Sequence, residues 1–295
     1  MDKRGCLQFM STESKQFSIF RILFGSYLIW HFASLLPWVG ELFGPQGVFP
    51  DPSLNATYGH FPNLLNVVSK TELGATQFIG VLIGLSISFT LGFCRRSVSF
   101  LLWYGSACLF HRNNLINSVH IDYVGWLLLA CAVLPPREYH SLDARAKGIN
   151  QDWAFPKILF WGGWLILLGG YTASGLNKFS SLSWTEGVAI ERIANCFMAR
   201  DNWIRDTVAG LPSSIIWILS KTCHWIEVLC LPCIFHRNSR LIAWSLMAVM
   251  HIGVGSILNF IDLSIALLLF HLFLFEPAWL KLCFKKSSST AQFDS

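Results

Sequence analysis

Charge is the scarcest ingredient of this chain. Lys, Arg, Asp and Glu supply 13% of its residues, while hydrophobic types supply 53%. Soluble domains average about 25% charged residues, and no stretch here is polar and long enough to fold apart from the apolar runs. A water-soluble globular protein is therefore excluded. The sequence also has no low-complexity tract and no internal repeat, so an inverted-repeat transporter lacks its usual support. Its nine cysteines form no disulfide framework. Cys94, Cys108, Cys131, Cys223, Cys230 and Cys233 lie in or beside apolar runs, and Cys196 is the only one in a predicted outer loop. Cys230-Leu-Pro-Cys233 has CxxC spacing, but it lies inside an apolar run and not in the βαβ setting of a redox motif. A cleavable leader is not expected either. Lys3 and Arg4 precede an apolar run, yet Phe17 to Trp38 is too long and has no clear small-residue cleavage site. It reads as a retained first span.

What is abundant is bulky apolar surface, with 13 Trp and 24 Phe. A spanning helix needs about 20 mostly apolar residues, and this chain has room for about eight. The runs fall near 17–38, 75–94, 97–111, 121–135, 158–178, 213–235, 240–257 and 260–276. The expected fold is all-α, a polytopic integral membrane bundle of about eight helices. Residues 1–16 form an N-terminal segment, 17–276 the transmembrane domain and 277–295 a C-terminal tail. The net charge of +5 sits between the runs, where it orients the chain rather than binding nucleic acid. With the N-terminus in the cytoplasm, fifteen basic residues fall in inner segments and six in outer ones, with Lys221 inside the sixth run. That bias favours an even number of spans with both termini cytoplasmic. Membrane lipid is the expected partner, and nucleic acid is not expected.

The fifth run, Ile158 to Asn177, carries no charge until Lys178. Its Gly169/Ala173 and Gly170/Ser174 pairs suit close approach of a second helix. The outer loop that follows, Phe179 to Pro212, carries Trp184 and Trp203, whose rings favour the headgroup level. Lys178 either snorkels to the headgroups or belongs to a site. The layout brings the third run to the same face at His111-Arg112-Asn113-Asn114 and starts the fourth there at His120-Ile-Asp122-Tyr123. Lys178, His120, Asp122, His111 and Asn113 are thus expected at similar depth, with Asn177, Trp184 and Glu186 beside the lysine. A lysine becomes a base only where burial or a neighbouring cation weakens its hold on the proton. The plain alternative is a polar interface with a Lys178–Asp122 salt bridge.

A second polar group lies deeper. Counting at about 1.5 Å per residue places Glu227 about 12 Å and His251 about 15 Å from the inner face. His224 sits one turn from Glu227. A mid-membrane charge costs at least about 2.5–3.5 kcal/mol, so a partner is expected. His224, Glu227 and His251 could formally ligate a metal, but a hydrogen-bonded seam is the preferred reading and no metal is expected.

These residues are similar to those of the HTTM family, the transmembrane domain shared with the vitamin K-dependent γ-carboxylases. The matching elements are Phe20-Arg21-Ile-Leu-Phe-Gly25, Gly47-Val-Phe-Pro50, His120, Pro135-Pro-Arg-Glu-Tyr-His-Ser-Leu-Asp143, Ser174-Gly-Leu-Asn-Lys178 with Trp184-Thr-Glu-Gly187, Glu227 and His251. The resemblance spans roughly residues 15–276. It implies that Lys178 deprotonates a reduced quinone, a vitamin K-like cofactor, and that His120 assists. In the carboxylases, oxygenation of the quinol yields an alkoxide that removes a γ-proton from glutamate, and carbon dioxide adds to the carbanion. Two positions depart from the pattern: Asn177 stands where the carboxylases have a second Lys, and Val119 where they have an Asn. The sequence also runs only about twenty residues past its last apolar run. Quinone chemistry in the membrane is therefore expected more than carboxylation of a tethered protein.

Three functions remain open on these grounds: a quinol-dependent carboxylase or oxidoreductase, a non-enzymatic binding or assembly protein of the same fold, and a small-solute transporter. The charge bias itself makes a prediction. Tags at the N-terminus, in the loop around Arg145 and at the C-terminus should all report from the cytoplasm. A protected terminus with an exposed Arg145 loop would break the eight-span layout.

Overall fold

The computed structural model describes residues 3–55 and 57–279, with side chains from residue 13 onward. Residues 280–295, most of the expected C-terminal tail, lie outside the described part. All regular structure among the described residues is helical apart from one isolated bridge, Ala199 to Leu258. The helices are α1 Lys3–Leu35, α2 Val39–Phe43, α3 Leu64–Val68, α4 Glu72–Leu91, α5 Arg95–Arg112, α6 Val119–Val133, α7 Leu142–Lys147, α8 Lys157–Asn177, α9 Leu182–Thr185, α10 Ala189–Ala194, α11 Trp203–Ala209, α12 Ser213–Val228, α13 Arg237–Ile257 and α14 Ile261–Phe273. Each expected apolar run overlaps one helix of 13 or more residues, of which Val119–Val133 and Ile261–Phe273 are short. Among the described residues, four stretches are long and apolar enough to cross a membrane: Glu13–Phe43, Glu72–Leu91, Lys157–Ser180 and Arg237–Ile257. The chain divides into two units, Met1–Phe155 and Pro156–Ser295.

Unit 1 packs α1 against α4 and α5 against both α4 and α6. Phe20, Phe24 and Phe89 are fully buried, and Phe24 meets Phe89 edge-on at 5.7 Å. The unit closes on a buried charge cluster. Glu138 lies between Arg21 (3.0 Å) and Arg95 (3.1 Å), all three almost without exposure. The guanidinium N–H groups left over donate to carbonyls at helix ends. Arg21 reaches Phe89 and Thr90 at the end of α4 and His140 in the loop. Arg95 reaches Cys131, Leu134 and Pro135 at the end of α6. Most of these carbonyls lie in or just past the last helical turns, where i+4 donors run out, so each arginine caps a C-terminus as it pairs with the carboxylate. Arg137 (φ 62°) and His140 (φ 55°) flank Glu138 in the left-handed region. Non-glycine residues there cost of order 1–3 kcal/mol each, which the anchored carboxylate offsets.

At the other end of α5, Arg112 donates to the carbonyls of Phe49 (2.6 Å) and Gly44 and to the Ser69 hydroxyl. The Asn113 amide donates to Leu42 O at 2.8 Å. Loop 39–74 is thereby pinned onto α5. Within this loop the Asp51 carboxylate is held below the usual carboxylate range by hydrogen bonds from Ser53.

In unit 2, α8 packs on α12 and on the 3-10 turn Leu231–Phe235, and α13 packs on α14. Arg240 pairs with Glu276 at 2.9 Å, and its guanidinium lies 5.2 Å from the Trp161 ring.

The charge cluster of unit 1 yields an ordered pair of outcomes. Glu138→Leu leaves two buried arginines unpaired and should destabilise by about 3–5 kcal/mol. Arg21→Leu leaves a neutral Arg95–Glu138 pair and should cost less. Melting in detergent checks the order, and equal losses would mean that charge balance does not govern the cluster.

Candidate functional site

Unit 2 builds its polar site where the last turns of α8 and α12 meet. Tyr171 and Lys178 are two turns apart and leave one face of α8. Ser220, His224 and Glu227 form the buried face of α12. The helices touch at Gly175, where a Cβ would lie 2.6 Å from the Val228 amide nitrogen; only glycine allows this approach. His224 Nε2–H then donates to Gly175 O at 3.0 Å. The Thr172 hydroxyl faces the Glu227 and Val228 carbonyls at 3.3 Å and accepts from the Leu231 amide at 2.9 Å. Polar groups at the end of α12 are thus met by α8.

Lys178 Nζ forms an ion pair with Glu227 Oε2, with side-chain exposures of 17% and 5%. The Trp184 ring covers the ammonium, 4.4 Å from Nζ to the ring centre, a cation–π contact. Three features anchor the segment that carries Trp184. Gly187 turns at φ 81°, and a Cβ there would strike the Trp217 ring at 2.3 Å. Lys221 Nζ donates to the Trp184 carbonyl at 3.3 Å and to that of Thr185. Ser220 Oγ accepts from the Ile190 amide at 3.2 Å. Phe179 adds a further wall, 4.5 Å from the His224 ring and 5.8 Å from Trp225. On the Tyr171 side, the phenol hydroxyl meets His251 Nε2 at 2.8 Å. The His271 ring stands 5.9 Å from Tyr171 and 6.2 Å from His251, and its Nδ1–H donates to Leu267 O.

Several of these partnerships differ from the sequence reading. Glu227, not Asp122, is the carboxylate of Lys178, and Asp122 is exposed. Counting residues placed Lys178 at the boundary and Glu227 well inside. The two meet because the first half of α12 runs beside residues 187–190, past the end of α8. The last turn of α12 therefore reaches the last turn of α8. His251 bonds to Tyr171, whereas the seam reading gave it to Glu227. The close helix contact falls at Gly175; a Cβ at Gly169 would meet nothing within 4 Å among the described residues.

Other expected site residues have local duties. Asn177 and Glu186 are exposed, and the Asn177 carbonyl accepts from Ser180. In unit 1, His111 stacks on Phe61 at 4.4 Å with Nδ1 2.7 Å from the Thr57 hydroxyl, and Asn113 Oδ1 caps the turn that follows it. His120 is buried, with Nδ1 2.9 Å from Ser118 Oγ. It lines a cavity of about 100 Å³ together with Tyr27, His31, Phe32 and Ser106. Tyr171, His271 and Lys221 were not picked out as site residues. Tyr171 was findable from its seven-residue spacing to Lys178, and Lys221 as a charge within an apolar run. Comparison with protein-family models, with characterised proteins and with solved structures found no match to this chain.

The ion pair can be weighed with a double-mutant cycle. Lys178→Met and Glu227→Leu each strand a partner and should cost about 3–5 kcal/mol, while the double variant should recover most of that loss. Additive losses in a detergent melting assay would contradict the pairing.

Proposed function

We propose that this chain is a multi-pass membrane protein of the HTTM class, with eight spans and both ends in the cytoplasm, whose Lys178–Glu227 pair exchanges a proton with a reduced quinone. The reaction would be carboxylase- or oxidoreductase-like. The observation that carries this reading is a lysine paired to a buried glutamate beneath an indole. The residues present suit such a molecule: Phe179, Trp184 and Trp225 offer flat ring surfaces, and the pair offers a proton acceptor. When bound, the reduced quinone would supply an acidic hydroxyl and two electrons.

Lys178 is a base only as the neutral amine. Transfer of its proton from Nζ to Glu227 Oε2 leaves an amine beside a carboxylic acid. Low-dielectric surroundings favour such neutral partners more than water does. The amine then accepts one proton, giving an ammonium beside a protonated acid, and loss of a proton from the pair restores the ion pair. Trp184 keeps Nζ in place throughout, and the Gly175–His224 contact fixes the distance between the two helices. His120 enters through the resemblance alone, as the assisting group.

A second reading has its own support. Lys178 is fully engaged by Glu227 and Trp184, which is what a structural clamp requires, so a non-enzymatic binding or assembly protein is the alternative. Transport comes third, for want of a repeat.

Quinol consumption in reconstituted liposomes, with melting measured on the same samples, separates these readings. Lys178→Arg keeps the pair and should melt like the parent, yet turnover should fall to background because a guanidinium does not give up its proton. His120→Ala should slow turnover without moving the melt. Full turnover by Lys178→Arg would rule out Lys178 as the base, and absence of turnover in the parent protein would leave the binding protein.

A further inference from the structure

The end of unit 1 that holds Glu138 is rich in exposed cations. Lys15, Arg96, Arg145 and Lys147 are exposed and Arg137 half-buried. Their contacts place them together around one loop. Arg96 Nε donates to Ala132 O at 2.9 Å, and Arg137 Nη1 to Lys147 O at 3.3 Å. Lys15 Nζ lies 4.9 Å from the Tyr139 ring centre. The Asp143 amide bonds to Gly92 O, tying α7 to the turn that precedes Arg95 and Arg96. The acids at this end are Glu13, Glu138, Asp143 and Asp152. Glu13 is engaged by the Phe155 amide, and Glu138 is consumed by Arg21 and Arg95. Beneath them the Arg21–Glu138–Arg95 cluster itself keeps one positive charge in excess.

Apolar surface adjoins this rim. Phe93 is 53% and Val133 59% exposed, and Leu142 and Ile149 are exposed within the same loops. Phe93 and Val133 close the ends of α4 and α6, two of the apolar helices. An apolar collar beneath a ring of cations matches the two halves of one partner, acyl chains and an anionic headgroup.

We infer that this end of unit 1 is an anionic-phospholipid binding surface, with Lys15, Arg96, Arg137, Arg145 and Lys147 facing the headgroup phosphates and Phe93 and Val133 the acyl chains. The lipid is held by charge, so its retention depends on ionic strength. This surface is independent of any chemistry at Lys178.

The test uses the full-length protein in nanodiscs of phosphatidylcholine with increasing phosphatidylglycerol, read by melting temperature. Phosphatidylglycerol should raise the melting temperature, and added salt should reduce the rise. Arg145→Gln/Lys147→Gln should lower the apparent affinity for phosphatidylglycerol roughly tenfold or more. Lys70→Gln/Arg192→Gln removes the same charge elsewhere and should leave it unchanged. The inference is overturned if both double variants lose affinity equally, if pure phosphatidylcholine stabilises as well, or if free inorganic phosphate reproduces the shift. A salt-independent shift in the parent protein would overturn it without recourse to any variant.

Discussion

A carboxylate removed from water must be met by cations, and each unit of this protein is arranged around one such group. In unit 1, Glu138 draws Arg21 from α1 and Arg95 from α5 into a cluster that also caps α4 and α6. In unit 2, Glu227 draws Lys178 from the end of α8 and so fixes how α8 lies on α12. Loss of a partner inside a low-dielectric region is far more costly than loss of an exposed salt bridge. The pairings therefore limit which helix arrangements are open to this sequence.

The chemical difference between the two clusters lies in the cations. Arginine stays protonated under any physiological condition and offers a rigid fork of donors. The unit 1 cluster can hold helix ends together but cannot pass a proton on. Lysine can exchange one, and the unit 2 pair is also less enclosed, since Lys178 retains 17% exposure. Trp184 makes the distinction sharper. Its indole shields one side of the ammonium, and Lys221 ties down the segment that carries it at the Trp184 and Thr185 carbonyls.

Much of the helical framework was legible in the sequence, because low charge and long apolar runs leave few alternatives to helices. The runs closing at Lys178 and Ile257 were read to within a residue or so of their observed ends. The partners of the charged residues were not legible. Glu138 was quoted only within a resembling motif, and its polar setting in Pro135–Asp143 reads as a solvated loop. Nothing local reveals that Arg21 and Arg95, distant in sequence, converge on it. For Glu227 the failure was one of depth. Helical rise converts residue count into distance only when the start of the helix is at the boundary, and α12 starts beyond the end of α8. Lys178, Trp184, His224, Glu227 and His251 were singled out as polar or aromatic groups at apolar runs, while the Lys178–Glu227 and Tyr171–His251 contacts became evident only from the packing.

The central claim is that Lys178 and Glu227 face a planar, proton-donating ligand. A structure of the protein purified with its native lipid addresses it most directly. The account predicts density for a ring bounded by Phe179 and Trp184, with an oxygen within hydrogen-bond reach of Lys178 Nζ. An ordered quinone at another place, with Trp184 and Glu227 still closed on Lys178, would contradict it.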